Sequence, residues 1–188
     1  MLKIAIVGNI ASGKSTAEEY IKSMGYKVYD SDKIAHEILE NSNTVRKMFA
    51  EYDIITDDKI DRKKLGAIVF NDKKKMELLE LIIHPQVVTE LLKIFQGKEK
   101  IVFVSVPQLF EANFEKLFDK IIFISAQKNI RLERLMKRNN MTKEDAIKRI
   151  EAQLPEEEKA EKSDFVIVNE GTIEELKTSV NDILKTIL

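Results

Sequence analysis

The sequence predicts an α/β domain built on a mainly parallel five-stranded sheet. Three observations carry that expectation. Short apolar runs alternate with longer helical stretches; the runs are apolar almost throughout rather than alternating; and a loop of the form G-x-x-x-x-G-K-[ST] joins the first run to the first helix. Strands apolar on both faces belong to a sheet covered on both sides, which is the condition of a parallel sheet.

Leu2-Lys3-Ile4-Ala5-Ile6-Val7, mostly β-branched, reads as the first strand, and Thr16 to Ser23 as the helix after it, with Gly25 as its C-cap. Lys27-Val28-Tyr29 is the second strand, Ile101 to Val106 the third, Ile121 to Ile124 the fourth and Phe165 to Val168 the fifth. About seventy residues separate strands two and three, more than one crossover helix needs. They predict an inserted helical subdomain, with helices ending at Pro85 and again near Gly97. A second insertion parts strands four and five. It reads as a helix from Lys128 to Arg138, then Thr142 as N-cap with Glu144 and Asp145 in the first turn, then a helix to about Gln153. Thr172 to Leu188 closes the chain as an amphipathic helix.

At 188 residues, 44% hydrophobic and 34% charged, the chain has the size and composition of one soluble domain. A net charge of −1 lacks the basic excess of a nucleic-acid binder. The absence of cysteine excludes disulfides and thiolate metal sites, and two histidines are too few for a typical zinc cluster, so any metal is expected to be Mg²⁺ on oxygen. No run reaches transmembrane length and no basic segment precedes an apolar stretch, so a cytoplasmic chain without membrane contact is expected.

The loop Gly8-Asn9-Ile10-Ala11-Ser12-Gly13-Lys14-Ser15-Thr16 carries the first chemistry. Its glycines let successive N–H groups and the positive end of the following helix face one anion, Lys14 brings a formal charge to the outer phosphates, and Ser15 offers a hydroxyl to Mg²⁺. Nucleotide contacts are expected from Ala11, Ser12, Gly13, Lys14, Ser15 and Thr16. Asp30-Ser31-Asp32 follows strand two, at the sheet rim where ligands collect. Two aspartates there suit a general base and a Mg²⁺ ligand, while one of them, or Ser31, caps the next helix. Residues 126–150 hold eight Lys or Arg against three acids, the composition of a basic lid. Within it Arg131, Arg134 and Arg138 share a helix face while Leu132, Leu135 and Met136 turn to the core. Arg131 reads as a solvated residue; Arg134 and Arg138 read as phosphate ligands brought in by lid closure.

In this order and spacing the motifs resemble one family, the dephospho-coenzyme A kinases. The likeness spans nearly the whole chain. It rests on the phosphate loop; on Gly25-Tyr26-Lys27-Val28-Tyr29-Asp30-Ser31-Asp32-Lys33-Ile34-Ala35; on Asp61-Arg62 with Leu65 and Val69-Phe70; on Ile83-His84-Pro85; on Val106-Pro107-Gln108-Leu109-Phe110-Glu111; on Arg134 and Arg138; and on Gln153, Asp164-Phe165-Val166-Ile167 and Asn169-Glu170-Gly171. The resemblance implies a three-layer P-loop kinase fold with a nucleotide core (1–30, 98–125, 163–188), a helical acceptor subdomain (31–97) and a lid (126–162). It implies transfer of the ATP γ-phosphate to the ribose 3′-hydroxyl of dephospho-coenzyme A, with these small molecules as partners; a monomer is the default expectation, since the sequence does not reveal oligomeric state. Carried over by position, Asp32 is the base, Lys14 the phosphate clamp, Ser15 the Mg²⁺ ligand and Arg138 the lid arginine; Asp30 is a further Mg²⁺ candidate, which the sequence does not rank against Asp32 for that role. Asp32, His84, Pro107 and Leu109 would line the acceptor side, with Glu111 structural.

The chain departs from the family pattern in three places. Asn9 and Ala11 stand where the family loop is richer in glycine, and must reach backbone angles open to non-glycine residues. His36 replaces a common arginine, and Gln108 an apolar residue. Other classes fit less well. A regulatory GTPase or motor ATPase would carry an acid in Ile101 to Val106 and, for guanine, an N-K-x-D motif, and neither occurs. Residue types alone leave open another small-molecule kinase, for a nucleoside monophosphate or a sugar acid; a non-catalytic nucleotide-binding module would not need both Asp30 and Asp32.

Overall fold

A computed structural model describes residues 1–187. The elements run β1 (Leu2–Gly8), α1 (Lys14–Ser23), β2 (Val28–Asp30), α2 (Ser31–Glu40), α3 (Asn43–Met48), β3 (Ile55–Thr56), β4 (Lys59–Ile60), α4 (Arg62–Val69), α5 (Lys73–Phe95), β5 (Ile101–Ser105), a 3₁₀ turn (Glu115–Leu117), β6 (Lys120–Ser125), α6 (Lys128–Asn139), α7 (Lys143–Glu151), α8 (Glu156–Glu161), β7 (Phe165–Val168) and α9 (Ile173–Ile187). They divide into two compact units, Met1–Tyr29 with Lys98–Leu188, and Asp30–Gly97.

The first unit is organised by a five-stranded parallel sheet of order β2-β5-β1-β6-β7. The register places Ile4 beside Phe103 and Ala5 beside Ile121. Successive strand residues point to opposite faces. On one face Ile4, Ile6, Phe103, Ile122 and Ile124 meet Ala17 and Ile21 of α1 and Leu176, Val180 and Leu184 of α9. Ala5, Val7, Val102, Val104, Ile121 and Phe123 are buried on the other face. Phe103 has no exposed surface, and truncating such a phenylalanine to alanine costs about 3–5 kcal/mol through lost burial and the cavity left behind. All five predicted strands form, each within one residue of its expected ends.

The second unit is mostly helical, and side-chain caps start its helices. Asp30, Ser42, Asp61 and Asp72 each accept backbone N–H bonds from the first turn of α2, α3, α4 and α5. The expected helix end at Pro85 is corrected: α5 runs through it for 23 residues. Proline removes the N–H that would reach the Leu81 carbonyl, but that turn lies at the surface, where Leu81 is 71% exposed. Ile83, Val87 and Leu91 meanwhile continue one buried stripe across the proline, and this burial holds the helix together. Sequence reading also missed the β3–β4 hairpin, whose turn places Asp57 and Asp58 at φ 49° and 59°. It missed α8 too, although Pro155 and three successive glutamates in the first turn mark its start.

Candidate active site

The phosphate loop leaves the carboxyl end of β1, the central strand. Neighbours of β1 lie to both sides in the order β2-β5-β1-β6-β7, so the loop occupies the switch point where open α/β sheets bind ligands. Gly13, at φ +96°, is the N-cap of α1 and provides no side-chain cap. The leading N–H groups of a helix have no intrahelical acceptor, so α1 offers an anion a set of donors at its positive end.

The two loop glycines are needed for different reasons. A Cβ on Gly13 would stand 2.0 Å from Asn169 Nδ2 as well as being strained by its φ, and one on Gly8 would stand 2.6 Å from Ser12 Oγ. Asn169, buried just after β7, donates from Nδ2 to Ser12 O at 2.7 Å, while its own carbonyl accepts from Arg134 Nη1 at 3.0 Å. Asn169 therefore joins the loop, β7 and α6. Of the two non-glycine positions singled out in the loop, Ala11 takes the left-handed conformation at φ +62° and Asn9 does not.

Lys14 Nζ forms an ion pair with Glu18 Oε1 at 2.7 Å and donates to Ser105 Oγ at the end of β5. Glu18 was not singled out in the sequence; its position four residues after Lys14 on a helix was the available signal. Ser15 is exposed at the start of α1, and Thr16 half-buried. Ser12 is wholly buried, and its N–H is bonded to Asn9 O at 3.0 Å.

The arginine face divides differently from expectation. Arg131 is not solvated: it is 5% exposed, donates from Nε to Ala126 O at 3.0 Å and pairs with Glu156 at 3.4 Å. Burial raises the Glu156 pKa, a shift opposed by the charge of Arg131. Arg134 is half-buried against Asn169, and Arg138 is exposed at the end of α6, with Nε on Asn139 Oδ1 at 2.8 Å. Leu135 is buried with Ala146 and Ile150 of α7, and Leu132 and Met136 pack against them.

In the second unit Asp30 is the residue that caps α2, its Oδ1 accepting from Asp32 N at 2.9 Å and Lys33 N at 3.2 Å. Asp32 is exposed in the first turn of that helix. His84 is half-buried within α5 rather than at a helix end. In the first unit, on the segment after β5, Pro107 is half-buried and Leu109 has no exposed surface. Glu111 pairs at 2.8 Å with the wholly buried Lys159, a structural contact. No described helix is long and apolar enough to cross a membrane.

A phosphate loop at the switch point of this sheet, followed by arginines on the helix after β6, defines a P-loop kinase. A shikimate kinase from Bacteroides thetaiotaomicron shares the fold, with a TM-score of 0.57 at 13% identity over 99% of this chain and 98% of that one. A family model described as dephospho-CoA kinase matches residues 2–175, and the chain belongs to the dephospho-CoA kinase family. It is 41% identical to a dephospho-CoA kinase of Lactobacillus johnsonii, over 98% of this chain and 97% of the relative. With one of Listeria monocytogenes it shares 39% identity, over 97% and 95% respectively. The solved dephospho-CoA kinase of Campylobacter jejuni superposes with a TM-score of 0.77 at 34% identity, covering 98% of this chain and 96% of that one.

Proposed function

We propose that this chain transfers the γ-phosphoryl group of ATP to the ribose 3′-hydroxyl of dephospho-coenzyme A, with Asp32 as general base. The observation that carries the nucleotide half of this reading is the uncapped start of α1 behind Gly13, with Lys14 as its first residue. Amides there bind the phosphates, and Lys14 exchanges Glu18 for the outer phosphate oxygens. Arg134, tied to Asn169, supports the bound nucleotide, and Arg138, exposed at the end of α6, meets charge that develops during transfer. Asp32 takes the hydroxyl proton from the acceptor, for which His84, Pro107 and Leu109 are the other candidate contacts.

The side chains suit Mg²⁺. Ser15 has an exposed hydroxyl, and Asp30 keeps its second carboxylate oxygen outside the cap. Among the described residues no three ligating carboxylates or imidazoles converge, so phosphate oxygens and water would complete the shell, as this ion prefers. When bound, Mg²⁺ supplies neutralisation of phosphate charge. The reading takes the chain as a cytoplasmic monomer acting on small molecules.

The test is ADP release from ATP and Mg²⁺ with dephospho-coenzyme A as acceptor, beside AMP, CMP, gluconate and no acceptor. Release with dephospho-coenzyme A alone, with coenzyme A as product, is expected. Preference for another acceptor overturns the substrate, and equal release without acceptor overturns the kinase reading.

A further inference from the structure

Two hydrogen bonds cross from the segment between α7 and α8 to the entry of the phosphate loop. Gln153 Oε1 accepts from Ile10 N–H at 2.8 Å, and Asn9 Nδ2 donates to Leu154 O at 3.2 Å. Asn9 is 3% exposed, while Ile10, Gln153 and Leu154 are half-buried. Beside them Ile10 and Ala11 pack against Leu135, Ala146 and Ile150, residues of α6 and α7. The same segment is pinned on its other side, where Glu156 pairs with Arg131.

This seam supports backbone that would not hold its shape alone. Ala11 sits in the left-handed region, where an L residue persists only if its surroundings over-determine it. An anion cradle works only if its amides are already aimed. The Ile10 N–H is fixed by a side-chain oxygen that belongs to a different insertion of the chain, immediately after the second lid helix.

We propose that Gln153 is a positioning residue for phosphoryl transfer. Its amide oxygen holds Ile10 N–H and with it the strained entry of the phosphate loop, so that the base of the lid sets the shape in which the loop receives nucleotide. The role requires an acceptor at Oε1, not merely a side chain of that length. Gln153 also lines a cavity of about 500 Å³ with Asn9, Arg131 and Glu156, which gives replacements of equal length room to settle.

The inference rests on the loop as the nucleotide site, and its test reads ATP directly, without an acceptor. ATP binding is titrated for the parent, Gln153→Met, which lacks the acceptor, and Gln153→Glu, which keeps it; both KM values and the melting temperature follow. The expected result is a roughly tenfold weaker ATP affinity in Gln153→Met, because the loop is no longer held in the shape that receives nucleotide and binding has to restore it. The acceptor KM and melting temperature stay near the parent's, and Gln153→Glu returns ATP affinity to within about threefold. Parent-like ATP affinity in Gln153→Met overturns the proposal. So does equal weakening in both variants, or a loss that tracks melting temperature. A parent that binds ATP but does not phosphorylate dephospho-coenzyme A refutes the substrate reading and leaves this proposal standing.

Discussion

Lys14 Nζ and Glu18 Oε1 lie 2.7 Å apart, one turn along α1, with side chains only 15% and 10% exposed. The Lys14 ammonium is therefore already paired, and in the proposed reading ATP displaces a carboxylate to engage it. An exposed pair at this spacing contributes only about 0.3–0.5 kcal/mol, but this one is sheltered from solvent and salt. Glu18→Gln is expected to tighten ATP binding several-fold without raising kcat, as measured by calorimetric titration and steady-state kinetics. Weaker binding instead would make Glu18 the residue that aims Lys14. Lys14→Ala should weaken ATP binding and turnover together.

Asp30 spends a carboxylate oxygen on capping α2, and the proposed base is its neighbour Asp32 in the first turn of that helix. Asp32→Asn is expected to lower kcat by roughly 10²–10⁴-fold with ATP affinity nearly intact. Activity within a few-fold of the parent would remove Asp32 from the chemistry. Asp30→Asn keeps an oxygen for the cap, so a loss of activity without a loss of melting temperature would point to its second oxygen and to the metal.

Arg134 and Arg138 share a helix but not an environment. Arg134 reaches the Asn169 carbonyl, which links it to the phosphate loop, whereas Arg138 is exposed. Arg134→Ala should therefore act chiefly on the KM for ATP, and Arg138→Ala chiefly on kcat. The opposite split would exchange their roles. Arg131→Ala is expected to lower the melting temperature instead, because it strands the partly buried Glu156 carboxylate.

The sheet was legible because its signal is local. Five apolar runs and one glycine-bounded loop specify strands, order of appearance and the anion site without reference to distant residues. What sequence reading missed depends on tertiary context. Pro85 is a helix breaker by its covalent chemistry, yet the stripe of Ile83, Val87 and Leu91 carries α5 past it. Arg131 looks like its exposed neighbour Arg138 until α8 brings Glu156 against it. The bond from Gln153 to Ile10 spans 143 residues of sequence, and no spacing rule reaches that far. Glu18, by contrast, was within reach of the i, i+4 rule.

Two caps in the second unit give its stability a pH dependence of known sign. The Asp61 carboxyl is held below the usual range first by the Lys64 backbone N–H, and then by the Lys63 N–H and the Thr56 hydroxyl. Asp72 is held low first by the Lys75 ammonium and then by the Lys75 backbone N–H. A carboxylate with a lowered folded-state pKa binds its proton more weakly folded than unfolded. Its contribution is complete above the ordinary aspartate range and is lost as pH falls through and below that range. Asp61→Asn with Asp72→Asn keeps an oxygen to cap α4 and α5 but cannot titrate. Denaturant midpoints measured from about pH 7 to pH 3 should fall more steeply for the parent than for this double variant, with the two curves converging at the acid end. Added salt should shrink the difference, since the Lys75 pair is exposed enough to be screened. Parallel curves across the range would show that these carboxylates cap without being shifted.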